Sequence, residues 1–118
     1  MRAAGEFDGA KQFEPGSTDT DVTGWLAESF PHCAGLTTVV LNHCDKLTDG
    51  GLGELARHCA GLTTVNLNRC KKLTDGGIGE LARHCAGLTT VHLSYYNKFT
   101  DGGIGDFERQ LPNCKVKK

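Results

Sequence analysis

Cysteine and histidine are the residues of this chain best able to do chemistry, and they come as adjacent pairs: His32-Cys33, His43-Cys44, His58-Cys59 and His84-Cys85. Six cysteines and five histidines in 118 residues would suffice for a zinc site. Tetrahedral zinc, however, needs ligands converging from spacings such as C-x-x-C or H-x-x-x-H, and neither occurs here. Neighbouring residues on a helix point in different directions, so an adjacent His-Cys pair is poorly placed to share one ion. No metal and no cofactor are expected. The thiols are expected to lie in the core as small, weakly polar side chains that bond loop backbone.

Nucleophilic catalysis needs a base held by a third group beside the nucleophile. Each Ser, His and Cys here either recurs with a fixed interval or stands alone in a polar segment, so no enzyme activity is expected. The runs GGLG and GGIG open helices and lack the downstream lysine of a phosphate loop. Thirteen Lys and Arg against 14 Asp and Glu leave a formal charge of −1, which argues against nucleic acid as a partner. Arg69, Lys71 and Lys72 form a local basic rim suited to an acidic partner.

The intervals that separate the cysteines belong to a larger pattern. Leu36 to Gly61 reads LTTVVLNHCDKLTDGGLGELARHCAG, and Leu62 to Gly87 repeats it except at Val40/Asn66, His43/Arg69, Asp45/Lys71 and Leu52/Ile78, a match at 22 of 26 positions. Leu88 to Asn113 matches the second copy at 13. Such a repeat buries its apolar face against its neighbours in a stack rather than in one globular core. Within a copy, Val39 and Leu41 lie two apart in a β-branched run, as in a short strand with alternate residues inward. From Leu52 the apolar spacing becomes three and four (Leu55, Ala56, Cys59), one face of a helix. Thr48 is placed to cap that helix, Asp49 to meet the positive end of its dipole, and Gly61 to close it in a left-handed conformation. Gly50, Gly51 and Gly53 each cost this helix about 1 kcal/mol relative to alanine, so it depends on its neighbours.

The pattern L-x-x-V-x-L-x-x-C-x-x-L-T-D-x-G-L-x-x-L-A-x-x-C, from Leu36 to Cys59, resembles the cysteine-containing leucine-rich repeat. That likeness covers roughly residues 36 to 111. It implies an α/β fold: a right-handed solenoid with a short parallel β-sheet on the concave face and helices on the convex face. The hand agrees with the rule that about 98% of such crossovers are right-handed. Similar repeats form the substrate-recognition arm of F-box/LRR ubiquitin-ligase subunits, which implies a protein partner; no F-box helices precede residue 20.

Residues 1–19, rich in Gly, charge and turn formers, are expected to be a flexible tail. Residues 20–35 are expected to be a half repeat, a helix without its strand, with Leu26 at the Leu52 position and Trp25 and Phe30 covering the end of the stack. Repeats 36–61, 62–87 and 88–113 follow, then a terminal strand at 114–118 whose Lys115, Lys117 and Lys118 guard the sheet edge. No apolar run approaches the roughly 18 residues of a membrane span, and the N-terminus lacks an export-type apolar region. The cytoplasm or nucleus is therefore expected. Equivalent cysteines of stacked units, Cys44 with Cys70 or Cys59 with Cys85, would lie about 5 Å apart, within reach of bridging. In those compartments they are expected to stay reduced.

Comparing copies within the chain also locates the working surface. Three of the four changes between copies one and two fall at outward strand positions or in the turn that follows, while the apolar scaffold holds. The expected partner-binding face is Thr38, Val40, Asn42, Thr64, Asn66, Asn68, Arg69, Thr90, His92, Ser94 and Tyr95. The leading expectation is a protein-protein interaction module with substrate recognition for a ubiquitin ligase as its finer form. The alternative is a structural or regulatory repeat fragment, monomeric or weakly self-associating through its ends.

Overall fold

A computed structural model describes residues 9–29, 35–93 and 99–117. Strands and helices alternate: β1 (Ala10–Gln12), α1 (Asp19–Ser29), β2 (Thr38–Val40), α2 (Asp49–His58), β3 (Thr64–Asn66), α3 (Asp75–His84), β4 (Thr90–His92), α4 (Asp101–Gln110) and β5 (Lys115–Lys117). The five strands form one parallel sheet in sequence order, with Thr38, Thr64 and Thr90 in one column and Val39, Val65 and Val91 in the next. This is the leucine-rich-repeat solenoid.

The period-2 and period-3.6 patterns land where the spacing requires. Val39, Leu41, Cys44, Leu47, Leu52, Leu55 and Cys59 are all fully buried, as are their counterparts Val65, Leu67, Cys70, Leu73, Leu81 and Cys85. Alternate strand residues Thr38, Val40, Thr64 and Asn66 are half-buried on the opposite face. One row of apolar side chains per unit thus becomes a continuous core.

Direct bonds between units add to this packing. The Thr48 amide donates to Asp19 Oδ1 at 2.8 Å, Thr74 to Asp49 Oδ1 at 2.8 Å, and Thr100 to Asp75 Oδ1 at 2.9 Å. The hydroxyl of each threonine donates to the second carboxylate oxygen of the same aspartate. Each aspartate therefore serves the helix start of the following unit, beyond the dipole role that the sequence suggests. Thr74 and Thr100 also accept from Gly76 and Gly103 amides, whereas Thr48 does not cap its own helix as expected. At the strand entrance the hydroxyls of Thr37, Thr63 and Thr89 donate to the carbonyls of Gly9, Thr37 and Thr63, at 3.0 to 3.1 Å.

The aspartate clip also explains a glycine. A Cβ on Gly77 would stand 2.6 Å from Asp49 Oδ1 and 3.2 Å from Leu52, and Gly51 and Gly103 are obstructed in the same way by Asp19 and Asp75. Gly79, two residues on, faces open space. The expected left-handed closure at Gly61 and Gly87 does not occur. Among the described residues the positive-φ glycines are Gly9 and Gly16, and the helices end at Cys59 and Cys85, whose amides bond the Leu55 and Leu81 carbonyls.

The N-terminal expectations need correction. Residues 10–19 are not a flexible tail: β1 pairs with β2, Gly9 O accepts from the amides of Thr37 (2.7 Å) and Thr38 (2.8 Å), and Phe13 is 5% exposed. The edge of β2 supplies backbone partners regardless of side chain, which is why a segment without the apolar pattern still becomes a strand. The first unit is accordingly a strand and a helix, not a half repeat. Its register also differs, since Asp19 does for Thr48 what Asp49 does for Thr74, which puts Val22 at the Leu52 position; Val22 is fully buried. Trp25 packs edge-on against Phe13 (centroids 5.5 Å, 84°), and Lys11 Nζ lies 5.0 Å from the Phe13 ring and 5.7 Å from the Trp25 ring. Trp25 is partly buried against the core; Phe30 lies outside the described residues, as do residues 1–8 of the expected tail. β5 forms at Lys115–Lys117, with Lys115 and Lys117 exposed beside the edge.

Two substitutions test this packing. Val65→Asp should unfold the stack, because it buries an unpaired carboxylate at a cost of several kcal/mol, whereas Asn66→Asp, on the open face, should shift the melting temperature little. Equal shifts would mean that the strand faces are reversed. Gly77→Ala should destabilise by about 1–3 kcal/mol through overpacking, while Gly79→Ala should stabilise by up to about 1 kcal/mol through helix propensity. Denaturant unfolding that shows both alanines stabilising would rule out the Asp49 contact.

Candidate protein-binding face

The cysteines and histidines separate in space. Cys44, Cys59, Cys70, Cys85 and Cys114 are buried free thiols, while the histidines that precede three of them stay outside the core. His58 Nδ1 bonds the Glu54 carbonyl at 2.8 Å, and His84 Nε2 lies 3.1 Å from Glu80 Oε2. Cys33 falls outside the described residues. Cys70 Sγ donates to Leu41 O at 2.9 Å, and Cys85 Sγ is 3.5 Å from Cys59 O and 3.6 Å from Ala56 O. These two thiols thus reach backbone of the preceding unit. The Cys70 thiol beside it draws Cys44 below its ordinary pKa, while the neighbouring Cys44 thiol and burial hold Cys70 well above it. Burial pushes Cys85 up to about 11 and raises Cys114.

On the helices Arg57 pairs with Glu54, Arg83 with Glu80 and Arg109 with Asp106, each three residues apart. These side chains are mostly solvent-exposed, so each pair contributes little.

The sheet face is composed differently. The register gives two outward columns, Ala10, Thr38, Thr64, Thr90 and Lys115, then Gln12, Val40, Asn66, His92 and Lys117. The described members of the expected binding face, from Thr38 to His92, are all half-buried, as a shallow shared surface requires. Sequence reasoning passed over Lys115 and Lys117 as edge guards, although their pairing with Thr90 and His92 places them on this face. The signal was there in the alternation Lys-Val-Lys. Ser94 and Tyr95 lie outside the described residues.

Beyond the strands the backbone turns sharply. His43 and Arg69 take positive φ, 60° and 64°, a conformation rare for residues with a Cβ. Asn66 Oδ1 accepts from the Asn68 amide at 3.2 Å and steadies one of these turns. Arg69 Nη1 reaches His43 Nε2 at 3.3 Å, the guanidinium donating and the ring nitrogen accepting. Such backbone, held by two consecutive units, fixes the direction of two varied side chains at the rim. Asn42 Oδ1 is enclosed there without a hydrogen-bond partner.

No protein-family model matches the chain, and no curated protein sequence does. Solved structures do. A chain of the crystal structure of the Rad7 and Elc1 complex in yeast superposes with a TM-score of 0.68 at 23% identity, over 85% of this chain and 25% of that one. A chain of the Chaetomium Mex67:Mtr2 structure gives a TM-score of 0.71 at 14% identity, over 92% of this chain and 80% of that one. This chain therefore spans a quarter of the yeast chain it resembles. At these identities the likeness is one of fold: the chain is an α/β repeat solenoid like those two.

The buried thiols make the fold alkali-sensitive. An unfolded thiol ionises near pH 9, whereas Cys85 keeps its proton to about 11 in the fold, so the unfolded state binds fewer protons in between. Stability should fall as pH rises through that window, by at most about 2–3 kcal/mol for Cys85. Denaturant midpoints under reducing conditions should drop between pH 9 and pH 11 and drop less in Cys85→Ala. Identical slopes would mean that Cys85 ionises freely in the fold.

Proposed function

We propose that this chain is a non-catalytic protein-binding module whose partner lies across the sheet face and its rim, in the manner of the substrate-recognition repeats of ubiquitin ligases. The observation that carries this reading is where the units differ. Between the first two units Val40/Asn66 and His43/Arg69 differ while the buried columns change only at Leu52/Ile78, and the register places His92 of the third unit beside Asn66 on the same surface. Duplicated units drift wherever packing permits, but between the first two units drift alone predicts equal variation on the helices, where DGGLGELARH and DGGIGELARH differ once; the third helix, DGGIGDFERQ, differs from the second at four positions. Both solved structures of like fold contain a second protein, Elc1 in one and Mtr2 in the other. The five buried thiols suit a reducing compartment, the cytoplasm or nucleus.

End-to-end self-association has less support. The Thr18 amide and hydroxyl, which would be the docking donors at the N-terminal end, already bond Asp21 Oδ2 at 2.9 and 3.2 Å, and Trp25, Phe13 and Lys11 pack on one another beside them.

Selection of binders from a random peptide display library on the immobilised chain tests the reading. Selected ligands should lose about 2 kcal/mol of affinity in Arg69→Asn, a loss typical of an interface anchor, with asparagine chosen because it tolerates the left-handed turn. Glu54→Ala with Glu80→Ala on the helices should leave affinity unchanged. Ligands lost in the helix pair and retained in Arg69→Asn would put the partner on the opposite face.

A further inference from the structure

Charge is segregated in this fold more sharply than its net value of −1 suggests. Ten of the 14 Asp and Glu residues lie within the helices, three, two, two and three along α1 to α4. The outward columns of the sheet hold none, and run from Ala10 and Gln12 through neutral Thr and Asn to His92, Lys115 and Lys117. Arg69 adds a guanidinium at the rim of the same half.

We infer that the partner segment is acidic: an extended peptide carrying two or more carboxylates, seated on the β3 to β5 half of the sheet face. This rests on the sheet face being the binding face. Strands lie about 4.8 Å apart, so the Arg69 unit and β5 are about 10 Å apart, a span that about three extended peptide residues cover. The guanidinium of Arg69, held in place by His43, offers a fork matched to a carboxylate. Lys115 and Lys117 supply exposed ammonium groups at the far end. Between them Thr64, Asn66 and Thr90 present hydroxyls and an amide able to bond a peptide backbone. A nucleic acid fits less well. Its evenly spaced phosphates continue past this small patch, and the acidic helices weaken any long-range attraction.

Three probes test this by fluorescence anisotropy at low salt: a 12-residue peptide alternating Glu and Ser, its counterpart with Gln for Glu, and a 12-nucleotide single-stranded DNA. The Glu peptide should bind at least tenfold tighter than either other probe and weaken as salt rises. The triple variant Arg69→Gln, Lys115→Gln, Lys117→Gln should lose at least tenfold, while Arg57→Gln with Arg83→Gln on the helices should stay within twofold. Circular dichroism confirms that both variants fold. Equal binding of the Glu and Gln peptides, tighter binding of the DNA, or full affinity in the triple variant would each overturn the inference. Display ligands that need Arg69 yet are neutral or basic would also overturn it, leaving the sheet face as the binding site. Display ligands that ignore the sheet face would instead remove the reading on which the inference rests.

Discussion

One aspartate per unit, with both carboxylate oxygens given to the amide and hydroxyl of a threonine in the next, is the contact on which this stack depends. A strand of three residues and a glycine-rich helix of ten form no stable structure alone, since short helices are marginal in water and glycine lowers their propensity further. The clip joins the helix start of one unit to that of the next, and hydrogen bonds to a charged acceptor are the stronger kind. It also dictates sequence. Threonine must follow the loop, aspartate must follow threonine, and the second glycine after that aspartate must lack a side chain because the neighbouring carboxylate fills the space.

The two ends of the stack differ accordingly. At the N-terminal end the donors of Thr18 turn to Asp21 within their own unit, whereas those of Thr48, Thr74 and Thr100 reach an aspartate of the preceding one. A T-shaped aromatic pair and a lysine over both rings finish the surface. At the other end Ile104, Leu111 and Cys114 retain 7–8% exposure where their inner counterparts have almost none, and Lys115 and Lys117 flank the last strand. Solenoid stability is a sum over units and their interfaces, so the units nearest this end should open first.

Much of this was legible in the residues. A 26-residue repeat with Val39, Leu41, Leu52, Leu55 and Cys59 at fixed offsets implies both the strand faces and the helix stripe, and all five are buried. What escaped reading had a common cause: it depends on contacts between units. Asp49 looks like a residue placed for the dipole of its own helix until Thr74 is seen beside it. Gly77 looks merely destabilising until Asp49 occupies its missing side chain. β1 carries Lys11 where other strands carry valine, so pattern alone passes over it, yet the open edge of β2 recruits it. Lys115 and Lys117 were read as edge guards because their column partners, Thr90 and His92, become apparent only through the register.

Because the clips and the apolar columns hold the scaffold, the outward columns are free to differ between units, and that division between fixed and variable positions underlies the functional reading. The most direct measurement is a double-mutant cycle on one clip, Asp49→Ala and Thr74→Val singly and together, followed by denaturant unfolding. If the clip joins the units, the two losses should be coupled, with an interaction energy of about 1–2 kcal/mol. Additive losses would contradict the account, because they would mean that Asp49 and Thr74 stabilise their own helices independently and that apolar packing alone holds the stack.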